Sequence, residues 1–295
     1  MIGNIKINKY ICNQIIGMKH LSFYLMTFGL LALSCRGMAA RLLVGDVDGD
    51  GQLTMVDVAR LVDCIKTPKH YYGGVNYVDL GLPSGLLWAT TNVGAEEPQV
   101  YGTRFAWGET ETKDDYEWTT YRWGTSSTKL TRYCTSSSYG TVDGLSELLP
   151  EDDAASVVTG CAWHIPSYDD WDELGDNCVI WADSVSHIHG WSVMGKVKKT
   201  KIFLPNSGYR EAELIYNEGY DAFYWASETY SFNCSTAYGY YLGPSYKGWG
   251  YRQRYLGNPV RPVIYPYQKV CDINADGEVN TSDVYALAQL VITQE

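Results

Sequence analysis

Two twelve-residue stretches carry oxygen ligands at alternate positions. DVDGDGQLTMVD runs from Asp46 to Asp57, and DINADGEVNTSD from Asp272 to Asp283. Positions 1, 3, 5 and 12 are Asp46, Asp48, Asp50 and Asp57 in the first copy, and Asp272, Asn274, Asp276 and Asp283 in the second. Position 6 is glycine in both, Gly51 and Gly277. This is EF-hand-type spacing for a hard cation, since calcium wants roughly six to eight oxygens and side chains at alternate positions converge as the chain curls. The glycine permits the sharp turn. Gln52 and Glu278, at position 7, offer backbone carbonyls; Thr54 and Asn280, at position 9, contribute directly or through water. The shorter Asp replaces the usual Glu at position 12. A single copy reads equally well as an acidic surface turn, whereas two matching copies predict two Ca2+ ions. The first loop has four carboxylates and the second three plus Asn274, so the first is expected to bind more tightly.

The elements that would position these ligands are duplicated too. After Asp57, Val58, Leu61, Val62 and Ile65 fall at helical spacing; after Asp283, Val284, Leu287, Ala288 and Val291 repeat the offsets. Each copy therefore reads as a loop followed by one short helix, with no helix before the loop. Such a unit is too small to bury its apolar stripe alone, and the simplest partner for one stripe is the other.

The remaining chain narrows the function classes. From Met18, a possible start, the sequence has a basic beginning, an apolar run and then small residues, the pattern of an export signal ending near Ala39. The run is shorter than the roughly 20 residues of a membrane span, so no transmembrane span is expected after cleavage. Lipidation of Cys35 is the less favoured route, because Ala32 stands where a lipobox wants Leu. The leader carries Lys6, Lys9, Lys19 and Arg36 and no acid, so its removal takes the formal charge from −11 to −15. A chain this acidic repels nucleic acid and anionic lipid. Six cysteines follow the leader without CxxC spacing, which argues against zinc and permits disulfides in an exported protein of unspecified pairing.

Between the loops the composition changes. All ten tryptophans lie there, with scattered glycines and short runs such as IFLPNSGYR (202–210) and AYGYYLG (237–243) that read as strands. Two helices are expected: one from Pro150 in PEDDAASVV, and one in PSYDDWDEL capped by Ser167, with Trp171 and Leu174 on one face. The predicted class is α+β. No GxSxG, HExxH, P-loop or dinucleotide fingerprint occurs. His187 and His189 read as a surface loop and His164 as structural. Glu109, Glu111 and Glu228 are the acids from which a glycosidase pair would come. Trp225, Tyr240, Tyr241, Trp249 and Tyr251 offer either a sugar-stacking platform or core aromatics, with packing the commoner use.

The phrases YVDLGLPSGLLWATTNVGA (77–95), YGTRFAWGET (101–110), CAWHIPSYDDWDEL (161–174), FLPNSGYR (203–210), YWASE (224–228) and GNPVRPV (257–263) resemble the Fibrobacter succinogenes major paralogous domain. That resemblance implies a C-type-lectin-like fold related to the formylglycine-generating enzyme group, with the first and last strands paired and no settled activity. The duplicated loop–helix resembles a dockerin, a small all-α calcium module that docks a cohesin-like partner by protein–protein interaction. In dockerins the two residues before the final Asp help choose the partner; here these are Met55 and Val56 in one copy and Thr281 and Ser282 in the other. The expected organisation is a signal peptide over 1–39, dockerin-like repeats over 40–66 and 271–295, linkers over 67–75 and 265–270, and a lectin-like domain over 76–264. The two halves would form one clasp, which Cys64 and Cys271 could staple. These resemblances imply a secreted or cell-surface protein with a non-catalytic role, whose body offers a recognition surface, including one for glycans. The alternative is a dockerin-tethered enzyme of polysaccharide hydrolysis; a third reading gives calcium a purely structural role.

Overall fold

The computed structural model describes residues 43–293. The leader, with Met18, Cys35 and the Ala39 cleavage point, lies outside the described residues. The chain divides into two compact units: residues 72–265 form one, and the described residues on either side of that stretch form the other. The class is mixed α+β, with several small antiparallel sheets.

The terminal unit begins with the first loop and helix α1 (Met55–Lys66). Thr54 caps α1: its side chain accepts from the Val56 N–H, and Asp57 reaches back to the Thr54 N–H in a capping box. The buried seam of α1 is Val58, Leu61 and Cys64, with Val62 and Ile65 half-buried. A 3₁₀ turn, Pro68–Tyr72, occupies much of the expected linker over 67–75.

The body starts at β1 (Tyr77–Asp79) and β2 (Leu87–Ala89), then β3 (Arg104–Phe105). Helix α2 spans Ala154–Thr159 and α3 Tyr168–Asn177. A meander follows: β4 (Cys178–Val185), β5 (Ile188–Gly195) and β6 (Lys201–Pro205). The small hairpin β7 (Tyr209–Glu211) and β8 (Leu214–Tyr216) precedes β9 (Ala222–Thr229), β10 (Thr236–Leu242) and β11 (Lys247–Gln253). The body closes with β12 (Asn258–Pro259) and β13 (Val263–Ile264).

β1 and β13 do not pair with each other; both pair with β2, in the order β1–β2–β13. The expected pairing of first and last strands is thus replaced by a shared neighbour. Leu87, Trp88 and Ala89 of β2 are all buried, and strands on both edges cover this segment. The outcome is that the body's chain enters and leaves through one small sheet.

The expected helix over PEDDAASVV is shorter than its sequence. Pro150–Asp152 is a 3₁₀ turn, and Asp153 caps α2 by accepting from the Ala155 and Ser156 N–H groups. Ser167 caps α3 with Asp170 as its capping-box partner, and Trp171 and Leu174 are buried. Trp171 packs against Trp88, with ring centroids 4.8 Å apart, and stacks on Tyr240 at 5.2 Å.

Beyond the body, the stretch expected as a linker over 265–270 contains helix α4 (Tyr267–Cys271). It corrects the expectation that neither loop has a helix before it. Its five residues are too few to show periodicity, and it is held by burying Val270 and Cys271. The second loop then leads into α5 (Thr281–Ile292), whose Leu287 and Val291 are buried. α1 and α5 pack together, and the Gly45 N–H donates to the Val270 carbonyl at 2.8 Å. Cys64 and Cys271 are both buried, and no disulfide joins them in this structure. Burial, and then the nearby Cys64, push the Cys271 thiol up.

Candidate metal centre

Both loops are wound by the same hydrogen bonds. In the first, Asp46 Oδ1 accepts from the Gly49 and Asp50 N–H groups at 2.7 and 3.0 Å, and Oδ2 from Gly51 at 2.8 Å. Asp272 repeats this with Asp276 at 3.1 Å and Gly277 at 3.0 Å. The position-5 carboxylates turn the chain onward: Asp50 accepts from Gln52 N–H at 2.8 Å and Asp276 from Glu278 N–H at 2.9 Å. These bonds bend the chain so that alternate side chains face inward. The glycines at position 6 have φ of +78° and +91°, and a Cβ there would meet nothing within 4 Å. Conformation, not crowding, therefore selects glycine at both.

In the first loop the carboxylate oxygens of Asp46, Asp48 and Asp50 lie within 4.8 Å of one another. Calcium–oxygen distances of about 2.3–2.6 Å place two ligands of one ion at most about 5 Å apart, so the donor set fits a calcium ion. The second loop brings Asp272, Asn274 and Asp276 into the same turn; the Asn274 Oδ1 accepts from Asp276 N–H at 2.9 Å, and its amide N–H donates to Asp276 Oδ2 at 2.9 Å and Ser282 Oγ at 2.7 Å.

Position 12 behaves differently from its neighbours. Asp57 and Asp283 are fully buried. Asp57 Oδ1 accepts from Val47 N–H at 2.9 Å and Oδ2 from Thr54 N–H at 2.8 Å. Asp283 does the same with Ile273 and Asn280, each at 2.8 Å. Each residue thus ties the start of its loop to the start of its helix. Asp57 is not one of the three converging carboxylates. Each of its oxygens also accepts a second, longer bond, Oδ1 from Asp48 N–H and Oδ2 from the Thr54 hydroxyl, both at 3.3 Å. The position-9 side chains, Thr54 and Asn280, act as helix caps, accepting from Val56 N–H at 3.1 Å and Ser282 N–H at 2.8 Å.

The first loop is short of positive charge. Burial first, and then the carboxylates of Asp57 and Asp48, push Asp46 up to about 7 against the N–H bonds from Gly51 and Gly49. Asp48 is raised by burial and by Asp57 and Asp50, with Arg60 opposing at 3.9 Å. A cation seated among these groups would relieve that repulsion.

Met55 and Val56 are 58% and 53% exposed, and Thr281 and Ser282 are exposed at the matching place on α5. The four residues therefore stand in solvent beside their loops.

The aromatic candidates divide. Trp225 is buried, with its indole N–H donating to the Phe105 carbonyl at 2.8 Å, and Tyr240 is core. Trp249 stacks on Tyr168 at 3.6 Å, and Tyr241 donates to Asp221 at 3.1 Å. Only Tyr251 of the five is exposed; it stacks on Tyr230 and lines an open cleft of about 360 Å³ with Tyr209, Glu211, Asn217 and Arg252. Packing took four of the five, as the volume of a loop-rich core requires.

Two of the three acids considered for hydrolysis are engaged elsewhere. Glu109 accepts from Lys113 at 2.9 Å and Arg122 N–H at 2.8 Å; Glu228 accepts from Tyr168 N–H at 2.9 Å; Glu111 is exposed. Ser186 and His187 form the two-residue turn joining β4 and β5, with φ of 50° and 68°. His189 instead meets Ser184 at 2.8 Å on the strand. His164 is bridged to Val263 through its backbone.

Sequence reasoning missed the buried arginines. Arg261 donates to Asn92, Ala89 and Phe203 at 2.9–3.0 Å and joins β2 to β6, and burial lowers it to about 10. Charge alone reads as surface; only a flanking phrase such as PVRPV, in which Arg261 sits among apolar residues, hints otherwise. The chain matches no family model, no curated protein and no solved structure.

Proposed function

We propose that the two chain ends form one calcium module of the split-dockerin type, and that it tethers a lectin-like body to a partner outside the cell. The observation that carries this reading is the pairing of the two repeats. Two loop–helix copies, more than two hundred residues apart in sequence, lie in one compact unit, packed through α1 and α5 and wound by matching hydrogen bonds. Asp46, Asp48 and Asp50 would hold one calcium ion with Asp57 behind them; Asp272, Asn274, Asp276 and Asp283 would hold the second. Calcium there neutralises crowded carboxylates and fixes the loops that set the helix starts.

Docking follows from what the fixed loops display. Met55 and Val56 offer an apolar pair, and Thr281 and Ser282 a hydroxyl pair, so a cohesin-like partner meets two different faces. The acidic chain and the export-type leader favour an extracellular or cell-surface setting. The body supplies the recognition surface, and its exposed Tyr251 beside a polar cleft suits a glycan better than the buried tryptophans do.

Calorimetric titration with calcium, alongside thermal melting, tests the reading. Two bound ions and a raised melting point, both lost when either loop is disabled, support one joint module. Independent weak binding at each end would overturn it. Capture of a cohesin that survives EDTA would separate docking from calcium and refute the coupling.

A further inference from the structure

We propose that Cys134 and Cys234 are the cross-linking pair of the body, joined by a disulfide in the oxidised protein. Their Sγ atoms lie 3.2 Å apart, and both side chains are buried, at 0% and 1% exposure. A disulfide bond needs about 2.05 Å, so closure asks each sulfur to move by well under an ångström.

The surroundings hold the two cysteines in place without the bond. Arg254, itself fully buried, donates through Nη1 to the Tyr133 carbonyl at 3.1 Å and the Cys234 carbonyl at 2.9 Å. One guanidinium thus grips the backbone at both cysteines. On one side, the Asp143 carboxylate accepts from the Tyr133 and Cys134 N–H groups at 2.7 and 2.9 Å. On the other, the Asn233 side chain accepts from Ser235 N–H at 3.0 Å and fixes the turn between β9 and β10. Loss of rotamer and loop freedom has therefore already been incurred, which makes ring closure effectively intramolecular.

The position also suits a staple. Between β3 and α2 the described chain has turns and isolated bridges but no helix longer than the 3₁₀ turn at Pro150 and no strand. Cys134 sits in that irregular stretch, and Cys234 sits in the connection between β9 and β10 of the main sheet. The bond would anchor the least regular part of the body to its sheet. A catalytic pair fits less well, because burial pushes the Cys134 thiol up and away from a reactive thiolate.

The chemistry balances with a small disulfide as oxidant. One cysteine thiolate attacks oxidised glutathione, forming a mixed disulfide and releasing one glutathione thiolate. The second cysteine thiolate attacks the protein sulfur of that mixed disulfide and expels the other glutathione. Two thiol protons and two electrons leave the protein, and the oxidant is reduced to two thiols. Export, which rests on the proposed setting, would supply such an oxidant in the cell; the test below does not depend on it.

The full chain is refolded in a mixture of reduced and oxidised glutathione, blocked with an alkylating agent and cleaved with trypsin plus a protease cutting after acidic residues. That digestion puts Cys64, Cys134, Cys161, Cys178, Cys234 and Cys271 on separate peptides. The expected product is a Cys134–Cys234 linked peptide, lighter by two hydrogens than the sum of its reduced parts. Reduction should lower the melting point of the body by on the order of 5–15 °C, and a Cys134→Ser, Cys234→Ser double variant should lose that sensitivity. Recovery of both peptides fully alkylated, or of Cys234 linked to a different cysteine, overturns the proposal. So does a reduction-sensitive melting point that persists unchanged in the double variant.

Discussion

The two loops share a hydrogen-bond frame and differ in charge. In both, position 1 takes the N–H of position 6, position 5 that of position 7, and position 12 those of positions 2 and 9. Yet position 3 is Asp48 in one and Asn274 in the other, and the left-handed position 4 is Gly49 in one and Ala275 in the other, with φ of 77° and 57°. The first Asp is buried in the first loop and half-buried in the second. The difference teaches that one hydrogen-bonded turn accommodates two levels of charge. Positions 1, 3, 5 and 12 accept backbone N–H groups in both loops, and position 3 changes the number of carboxylates among them.

Substitution at position 12 should have the largest effect, and an equal one in both copies. Asp57→Ala or Asp283→Ala leaves backbone N–H groups without acceptors in a buried setting, so each should cost about 3 kcal/mol even without calcium. Denaturant unfolding of the two variants checks this; a large loss in one copy alone would break the symmetry of the frame. Next comes position 3. Asp48→Asn should weaken calcium binding at the first loop by about tenfold, and Asn274→Asp should strengthen the second by a similar factor, as one carboxylate is removed or added beside the ion. Calorimetric titration should show the two affinities converging in the first variant; unchanged affinities would mean that position 3 does not reach the ion.

Position 4 gives a smaller effect with opposite signs. Ala275→Gly should stabilise the second loop by about 1 kcal/mol by relieving a left-handed alanine, and Gly49→Ala should cost the first about the same. Melting curves that move the same way in both would refute the shared conformation. The smallest change is at the exposed pair: replacing Met55 and Val56 with Thr and Ser should alter stability by under about 0.5 kcal/mol. It should instead exchange the partner preference of one face for the other, measured by binding to a cohesin panel.

Much of the terminal unit was legible in the sequence. The spacing of the acidic loop residues is local, and so are the apolar positions of α1 and α5; the caps at Thr54 and Asn280 went unread, because both residues were expected as ligands. Helix α4 was not legible, because five residues carry no periodicity and its stability comes from burying Val270 and Cys271. In the body, the Ser167 cap and the buried face of α3 could be read for the same local reason. Trp225 and Tyr240 could not be assigned to core or platform, since an aromatic side chain serves either use and only its neighbours decide. Arg254 and Arg261 were missed because a charge is tolerated in the interior only where carbonyls from distant segments converge on it.

By itself the sequence determined the two matching acidic loops, their following helices and the mixed α+β character of the middle, all of which depend on residues close together in the chain. The packing of α1 on α5 was already expected from their matching stripes; the tertiary structure alone decided that β2 stands between the first and last strands of the body and that Cys134 meets Cys234. Those contacts join residues that are far apart in sequence, and no local pattern records which distant surface will complete a buried face.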